Sequence, residues 1–389
     1  MLHKMIATSK DARLAALKRW NDMIHNSSNI FSSNNIQGSS PPSVFVGSHG
    51  YPNVLAGPLV PPEFGDTTIL DSPESWTGRP ISDIIRYRMN LIRGIKSIPA
   101  RVTTSRYVQD LQDLAMGKNP TDTDMTFSGS IRGAGLADGH DAPYGPTGSI
   151  QESHISNITP DRTIQRLYYD TDLGTSEAVV QLYKEGASIS RIQKCFSVGV
   201  FGIERRLVPT KWSITATDDI ISKYMIQNIQ EYPLVDSYRV HTFAHMGNSY
   251  CVILWPRRWA FGFSEAWYAN GRILYGSDCE MGSGFRGPPN TAGAYYAARL
   301  AVAEYMHKNH FQGGAIVIRE ISPNYSIPVG VWQVREGVRA SLQRHATICH
   351  SMDECWATSC STMQIPKEGW LMQEGISRVV RQRTLSEYW

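Results

Sequence analysis

The chain has 389 residues, of which 41% are hydrophobic and 10% aromatic, and its formal net charge is only +3. This composition is typical of a packed globular protein and excludes a chain that is disordered along most of its length. The near balance of charge excludes a uniformly basic protein, so a surface for nucleic acid would have to be a local patch.

The cysteines and the apolar residues indicate the compartment. The six cysteines include no CxxC pair, and the N-terminal residues lack the apolar core of a signal peptide. No apolar run approaches the roughly 20 residues that cross a bilayer. We therefore expect a cytoplasmic protein with no membrane partner.

The N-terminal region is predicted to be a helix on a linker. Apolar residues at helical spacing predict a helix over 9–24, and the Asn/Ser-rich residues that follow predict a linker up to residue 40. Short β-favouring runs broken by Gly and Pro then predict strands and tight turns over 41–59.

Two further segments of the N-terminal half carry clear signals. Isoleucines and leucines at a period near 3.6 predict an amphipathic helix over 80–96. Its basic residues could form a phosphate-facing stripe or a solvated face, and they are Arg86, Arg88, Arg93 and Lys96. The Gly-, Asp- and Pro-rich residues 117–160 predict loops or an insertion with little regular structure.

The second half mixes helices and strands. One or two helices are predicted over 174–197, and another helix is predicted to begin with Thr217 as its N-cap. Alternating residues over 236–269 predict an antiparallel β-meander with "MGN" as its first turn. An alanine-rich helix over 290–306 and a strand "GAIVIREI" follow. The pattern predicts an α+β fold in two parts with a flexible C-terminal tail.

The C-terminal tail ends in the pattern QxxLxxYW, formed by Gln382, Leu385, Tyr388 and Trp389. In one 3₁₀ turn the leucine and the aromatics would form an apolar plug. The pattern resembles the PIP box, by which replication and repair proteins bind the sliding clamp PCNA. The resemblance implies that the glutamine bonds at the rim of a clamp pocket and that the apolar residues enter it. In the alternative, the two aromatics fold back onto their own domain.

Three longer stretches resemble the Nre family of archaeal DNA repair proteins: "SSPPSVFVGSHGYPNVLAGPL" (39–59), "RRLVPTKWSITATDD" (205–219) and "GVWQVREGVR" (330–339). The resemblance implies a two-part architecture, a terminal clamp-binding box and a role in tolerance of DNA damage. The implied divisions are a helix and linker (1–40), an N-terminal-type Nre domain (41–275), a C-terminal-type Nre domain (276–376) and the PIP-box tail (377–389). Family members commonly begin with a cysteine-rich segment, whereas no cysteine precedes Cys195 here, so functions of that segment are not carried over.

Candidate catalytic and DNA-contacting residues occur together before and within the predicted helix. Asp218 and Asp219 could hold Mg²⁺ in a metal-dependent nuclease, while Arg205, Arg206 and Lys211 contact the DNA backbone. In the alternative, acidic residues in a first helical turn simply complement the helix dipole. Asp278, Glu280 and Glu320 are weaker candidates, because lone carboxylates usually pair with arginine.

Two other groups of residues admit a functional and a structural interpretation. Aromatic residues over 250–268, with Arg257 and Arg258 among them, could bind single-stranded nucleic acid, although alternating aromatics are more often core. Nitrogen and sulfur ligands for zinc could come from His345, Cys349, His350, Cys355 and Cys360. Their spacing is not that of a standard zinc ribbon, and buried free thiols are the alternative.

These patterns and the resemblance together predict a DNA repair factor that the sliding clamp PCNA recruits through the tail and that contacts DNA. The alternatives are a metal-dependent nuclease acting at the clamp, a non-catalytic adaptor between the clamp and another repair protein, and a role directed at RNA. Cleavage of DNA would require Mg²⁺, whereas an adaptor would need no metal.

Overall fold

The computed structural model describes residues 34–131, 144–269, 271–282, 284, 287–325 and 327–382. The helix predicted over 9–24 and three residues of the tail motif (Leu385, Tyr388 and Trp389) lie outside these residues. Helices and two six-stranded sheets make up the described part, which confirms the α+β class. Among the described helices, none combines the length and the apolar character that crossing a membrane requires.

The chain divides into two compact units. The N-terminal unit lies within Leu17–Ile221, and the C-terminal unit contains Ser222–Trp389. This division falls within one helix, Thr210–Ile229. The domain boundary predicted at 275/276 lies inside the strand Arg272–Glu280, and the domain division stays a prediction.

The sheet of the N-terminal unit has the strand order β1-β5-β6-β4-β3-β2. Its strands are β1 (Asn35–Ser40), β2 (Val44–Val46), β3 (Asn53–Val60), β4 (Ile92–Pro99), β5 (Thr121–Phe127) and β6 (Thr147–Ile155). Only β4 and β6 pair in parallel, and the other neighbours are antiparallel. The helices are α1 (Ile81–Met89), α2 (Arg106–Met116), α3 (Arg162–Tyr169), α4 (Thr175–Lys184), α5 (Ile189–Ser197) and α6 (Thr210–Ile229).

The helix predicted over 80–96 was wrong in its second half. Helix α1 ends at Met89, and the chain continues as β4, which pairs with β3 on one side and β6 on the other. The isoleucines have helical spacing, but their β-branched side chains favour a strand, and ladder bonds on two sides decide for the strand. The predicted basic stripe is therefore divided: Arg88 is buried against Asp71, and the buried Arg93 guanidinium lies 3.7 Å from the ring centres of Phe45 and Tyr144.

The loops predicted over 117–160 were also wrong in part, because this segment contains β5 and β6. Strand β5 alternates buried and partly exposed positions, and its buried residues include Met125 and Phe127. These side chains form a core cluster with Val60 and Ile92. The alternation of β5 outweighed the Gly- and Asp-rich composition of the segment.

The sheet of the C-terminal unit has the strand order β10-β9-β11-β8-β7-β12. Its strands are β7 (Tyr238–His245), β8 (Asn248–Trp255), β9 (Ala260–Ala269), β10 (Arg272–Glu280), β11 (Gly314–Ile321) and β12 (Thr347–Cys349). The helices are α7 (Gly293–Lys308), α8 (Trp332–Gln343), α9 (Met352–Cys360), α10 (Lys367–Leu371) and α11 (Glu374–Arg381).

Two hairpins build this sheet around one central strand. Strands β7 and β8 meet at Met246 and Gly247, whose positive φ angles of 51° and 70° suit a two-residue hairpin turn. Strands β9 and β10 form the second hairpin. Strand β11 lies between the hairpins, antiparallel to β8 and parallel to β9, and every one of its residues is buried. A strand whose residues are all buried is expected at the centre of a sheet, where neighbours cover both of its edges.

Candidate nucleic-acid interface

Three segments of the N-terminal unit meet where β3 begins and β4 ends. The backbone N–H of Ala100, just after β4, donates to the carbonyl oxygen of Pro52 at 2.8 Å. The N–H of Leu207 in turn donates to the carbonyl oxygen of Ala100 at 2.7 Å. The N–H of Val46 in β2 donates to the hydroxyl of Thr210 at 3.0 Å. The stretches 39–59 and 205–219 are therefore neighbours in space.

An exposed aromatic pair lies at this junction. The rings of Tyr51 and Trp212 are 5.1 Å apart between their centres and inclined by 58°. Each side chain remains 44% exposed, which is unusual for large aromatic residues. Val102, after β4, is also exposed. We call the surface formed by Tyr51, Val102, Trp212 and the adjacent cations Arg101 and Arg206 the aromatic–basic surface.

Local backbone bonds hold Trp212 in place. The N–H groups of Trp212 and Ser213 donate to the carbonyl oxygen of Pro209 at 2.8 and 3.0 Å, so Trp212 occupies the first turn of α6. Val208 is fixed to Ser197 at the end of α5 by bonds in both directions, of 2.8 and 2.7 Å. The ring is thus presented from a rigid element.

Tyr51 lies in a tight loop between β2 and β3. The N–H of Asn53 donates to the carbonyl oxygen of Gly50 at 2.9 Å, and Gly50 has a φ of 82°, which a residue with a side chain rarely adopts. A second bond, from the N–H of Gly47 to the carbonyl oxygen of Leu55 at 2.7 Å, closes the base of the loop. The loop therefore sets the direction in which Tyr51 leaves the sheet.

Three cations are chain neighbours of the residues that form this junction. Arg101 follows Ala100 and Arg206 precedes Leu207, so each is next to one of the hydrogen-bonded residues of the junction. Both arginines are exposed, and neither forms a hydrogen bond or an ion pair with a described residue. Lys211 lies in the first turn of α6 and is half-buried. Exposed arginines are among the side chains that bind phosphate groups in protein–DNA complexes.

Arg205 has a different, structural role. Its guanidinium donates to the carbonyl oxygens of Tyr168 and Gly202 and lies 4.5 Å from the ring centre of Tyr168. These contacts hold the 202–206 loop against the end of α3. Of the predicted DNA-contacting residues in this segment, the structure therefore leaves Arg206 and Lys211 at the surface.

The predicted N-cap at Thr217 was wrong, because α6 begins at Thr210 and Thr217 is in its interior. Asp218 is buried, and the amide of Gln193 donates to its Oδ1 at 3.5 Å, whereas Asp219 is half-buried. Successive helical residues point about 100° apart, so the two carboxylates do not face one ion. Across the described parts of the chain, no three His, Cys, Asp or Glu side chains are grouped to hold a metal ion.

The aromatic residues over 250–268 form core rather than surface. The buried ones are Tyr250, Trp255, Trp259, Phe261, Phe263 and Trp267. Arg257 donates to the carbonyl oxygen of Val379 at 2.6 Å, and Arg258 is exposed. Buried rings cannot stack on bases, and of the predicted group Arg258 is exposed while Arg257 and Tyr268 are half-buried.

The predicted zinc ligands differ in their exposure to solvent. His345 and His350 are exposed, Cys349 and Cys355 are buried, and Cys360 is half-buried. Burial raises the pKa of the Cys355 and Cys360 thiols, which opposes the thiolate form that zinc requires. Nearby, burial also raises the pKa of Cys251 to about 12.

The weaker carboxylate candidates have protein partners. Asp278 accepts the N–H groups of Asn290 and Thr291, each at 2.7 Å. Glu280 forms a buried ion pair with Arg299 at 2.8 Å. Glu320 accepts the N–H groups of residues 364 and 365 at 3.0 and 3.1 Å. Each carboxylate therefore stabilises a loop or a buried cation.

A buried polar network crosses the centre of the C-terminal sheet. Arg319 on β11 pairs with Glu265 on β9 at 2.9 Å, and both side chains are about 95% buried, with exposures of 5% and 4%. The guanidinium also donates to Asn248 at 2.9 Å and to the amide oxygen of Gln333 at 3.1 Å. The hydroxyl of Tyr250 donates to the same oxygen at 2.6 Å. The stretch 330–339 thus contributes to the interior of this unit.

The N-terminal unit contains a second buried charge cluster. Asp71 accepts Arg88 through one carboxylate oxygen and Lys194 through the other, the latter at 3.0 Å. Burial alone would raise the pKa of Asp71, but the two cations hold the pKa below its ordinary value of 3.8. The carboxylate is therefore ionised at neutral pH.

The fold and the surface define a two-unit α+β protein whose N-terminal unit presents aromatic rings and cations to solvent. Residues 10–272 match the family model described as Archaeal Nre, N-terminal, and residues 280–388 match Archaeal Nre, C-terminal. The chain belongs to the archaeal Nre family.

Relatives match along most of their length. The chain is 36% identical to DNA repair protein NreB of Archaeoglobus fulgidus over 91% of this chain and 92% of the relative. It is 33% identical to DNA repair protein NreA of the same organism, over 85% of each chain. It is 31% identical to DNA repair protein NreA of Haloferax volcanii, over 79% of this chain and 78% of that protein. No solved structure matches the chain.

Proposed function

We propose that this protein is a DNA repair factor that contacts DNA through the aromatic–basic surface and is recruited by the sliding clamp PCNA through its C-terminal tail. The names of the relatives support a repair role. The exposed Tyr51–Trp212 pair beside Arg101 and Arg206 is the observation that supports the DNA contact. Aromatic faces bind bases and arginines bind phosphates, and the surface offers both.

The sequence of the tail supports the clamp contact. Gln382 directly follows α11, and the buried Ile376 and Val379 fix that helix to its unit. The motif thus starts where the helix ends. Two aromatic side chains bury roughly 150–250 Å² each on binding. Because ordering the tail offsets part of this gain, we expect a dissociation constant no tighter than micromolar, which corresponds to a binding free energy of about −8 kcal/mol.

Removing residues 382–389 is expected to abolish micromolar binding of the cognate clamp in a calorimetric titration. Because α11 ends at Arg381, the truncation leaves the helix complete, and the melting temperature of the protein should stay unchanged. The variant Tyr388→Ala/Trp389→Ala should reproduce the loss without shortening the chain. Binding that survives both changes would show that the clamp contact lies elsewhere.

Replacing Arg206 by alanine is expected to weaken binding to DNA of any sequence about fivefold at low salt, because one phosphate contact is lost. The slope of log affinity against log salt should become shallower by about 0.7–0.9. Fluorescence anisotropy with a labelled oligonucleotide measures both quantities.

Arg86→Ala is the matched control. Arg86 is an exposed arginine of the same unit, on α1, which precedes the opposite end of β4. Its replacement should leave affinity and salt slope unchanged. Equal effects of the two substitutions would show that the DNA does not bind at the junction.

A further inference from the structure

We infer that the aromatic–basic surface takes single-stranded DNA, with an unpaired base stacked on Trp212 or Tyr51 and its phosphates at Arg101 and Arg206. This inference rests on the proposed function, because it specifies the form of DNA that the same surface binds.

The geometry of the pair favours stacking on an outer face. At 5.1 Å between centres and 58° between planes, the two rings already touch each other and leave no parallel slot between them. A base must therefore stack on the solvent side of a ring, where 44% of each side chain is exposed. Bases inside a duplex are covered on both faces by their neighbours, so only an unpaired base can present a free face to such a ring.

The aromatic–basic surface is also preorganised in the DNA-free protein. Trp212 lies in the first turn of a helix, and Tyr51 lies in a loop closed at its base by the bond between Gly47 and Leu55. The backbone that carries both rings is thus already ordered, so binding requires little ordering of the chain and less of the stacking energy is lost.

The positive charge of the surface favours nucleic acid, whose phosphates are negative, as its ligand. Arg101 and Arg206 are exposed and have no hydrogen bond or ion pair with a described residue, while Val102 extends the apolar area beside them. Stacking rings together with backbone cations bind single strands with little dependence on sequence, because every base has an aromatic face. A docking site for an apolar protein segment would not need the two unpaired arginines.

The test compares DNA ligands of equal length that differ in pairing and in the presence of bases. Full-length protein is titrated by anisotropy with a labelled oligothymidine, with the same oligonucleotide in a duplex, and with a strand of equal length whose central positions are abasic. We expect the oligothymidine to bind most tightly. Trp212→Ala should weaken that complex about 5- to 150-fold, whereas Trp212→Phe, which keeps an aromatic face, should retain most of the affinity.

The abasic strand separates stacking from charge. If a base stacks on Trp212, removing the base or the ring should cost a similar factor, and removing both should cost little more than either alone. Phe64→Ala is the matched control, since Phe64 is an exposed aromatic (66%) that follows the far end of β3, an eight-residue strand roughly 26 Å long. That variant should bind like the wild type.

The outcomes distinguish the inference from the proposed function. Equal affinity for single strand and duplex, with Trp212→Ala as tight as the wild type, would overturn the inference and leave DNA contact in place. Failure to bind either form of DNA would overturn both. Tighter binding of an oligouridine than of the oligothymidine at equal salt would replace DNA with RNA as the ligand and overturn the inference.

Discussion

Replacing Glu265 by alanine is expected to lower the melting temperature of the C-terminal unit by about 6–20 °C. The substitution leaves the guanidinium of Arg319 buried at the centre of the sheet without its counter-charge, which typically costs about 3–5 kcal/mol. Asn248 and Gln333 still accept from the guanidinium, but neither carries charge. Scanning calorimetry of the full-length protein measures the shift.

Two variants test whether buried charge is the cause. Glu265→Gln keeps an acceptor oxygen at the same position and should lose less stability than the alanine variant. Asp353→Ala removes the carboxylate of the exposed pair with Lys367 in the same unit, and it should move the transition by no more than about 4 °C. An effect of Glu265→Ala no larger than that of Asp353→Ala would contradict the explanation.

Asp71→Asn should destabilise the N-terminal unit by a comparable amount at neutral pH. The change removes one negative charge and leaves two largely buried cations, Arg88 and Lys194, which is expected to cost about 3–5 kcal/mol. The loss should appear as a decrease of about 6–20 °C in melting temperature. Asp83→Ala, which breaks an exposed pair with Arg86, should change it by no more than about 4 °C.

The pH dependence gives an independent check on Asp71. Its pKa in the folded protein is below the ordinary value of 3.8, so the folded state holds the proton less strongly than the unfolded state does. The stabilisation is therefore complete above about pH 4 and is lost as the pH falls through the folded pKa. The difference between wild type and Asp71→Asn should be constant from pH 5 to 7 and narrow below about pH 4. A difference that stays constant to pH 2 would exclude the carboxylate as its source.

The sequence predicted elements whose local pattern agrees with their tertiary surroundings. The strand "GAIVIREI" coincides with β11, and "MGN" contains the turn of the first hairpin of the C-terminal unit. The prediction failed where one segment combined the spacing of a helix with residue types that favour a strand. Ile92 and Ile95 have the spacing of a helix and the β-branched side chains of a strand, and pairing with β3 and β6 decided the outcome.

The candidate site was predicted only in part, because its components come from distant segments. The sequence predicts Arg206 and Lys211 as DNA-contacting residues, and this stays a prediction. The aromatic partners were sought among residues 250–268, where high β propensity marks core. Tyr51 and Trp212 lie in two of the quoted stretches, but nothing in either stretch marks them as a pair. Their pairing follows from contacts such as that between Val46 and Thr210, which are 164 residues apart.

The central position of β11 has a consequence for biosynthesis. Strands β8 and β9 are separated by only the residues between Trp255 and Ala260, yet each needs β11, which ends at Ile321, on its other edge. On the ribosome both hairpins therefore emerge with unpaired, apolar edges and must wait for β11 before the sheet can close. Exposed edges of this kind promote aggregation during synthesis. The C-terminal unit thus folds late, and its two hairpins need protection until β11 emerges.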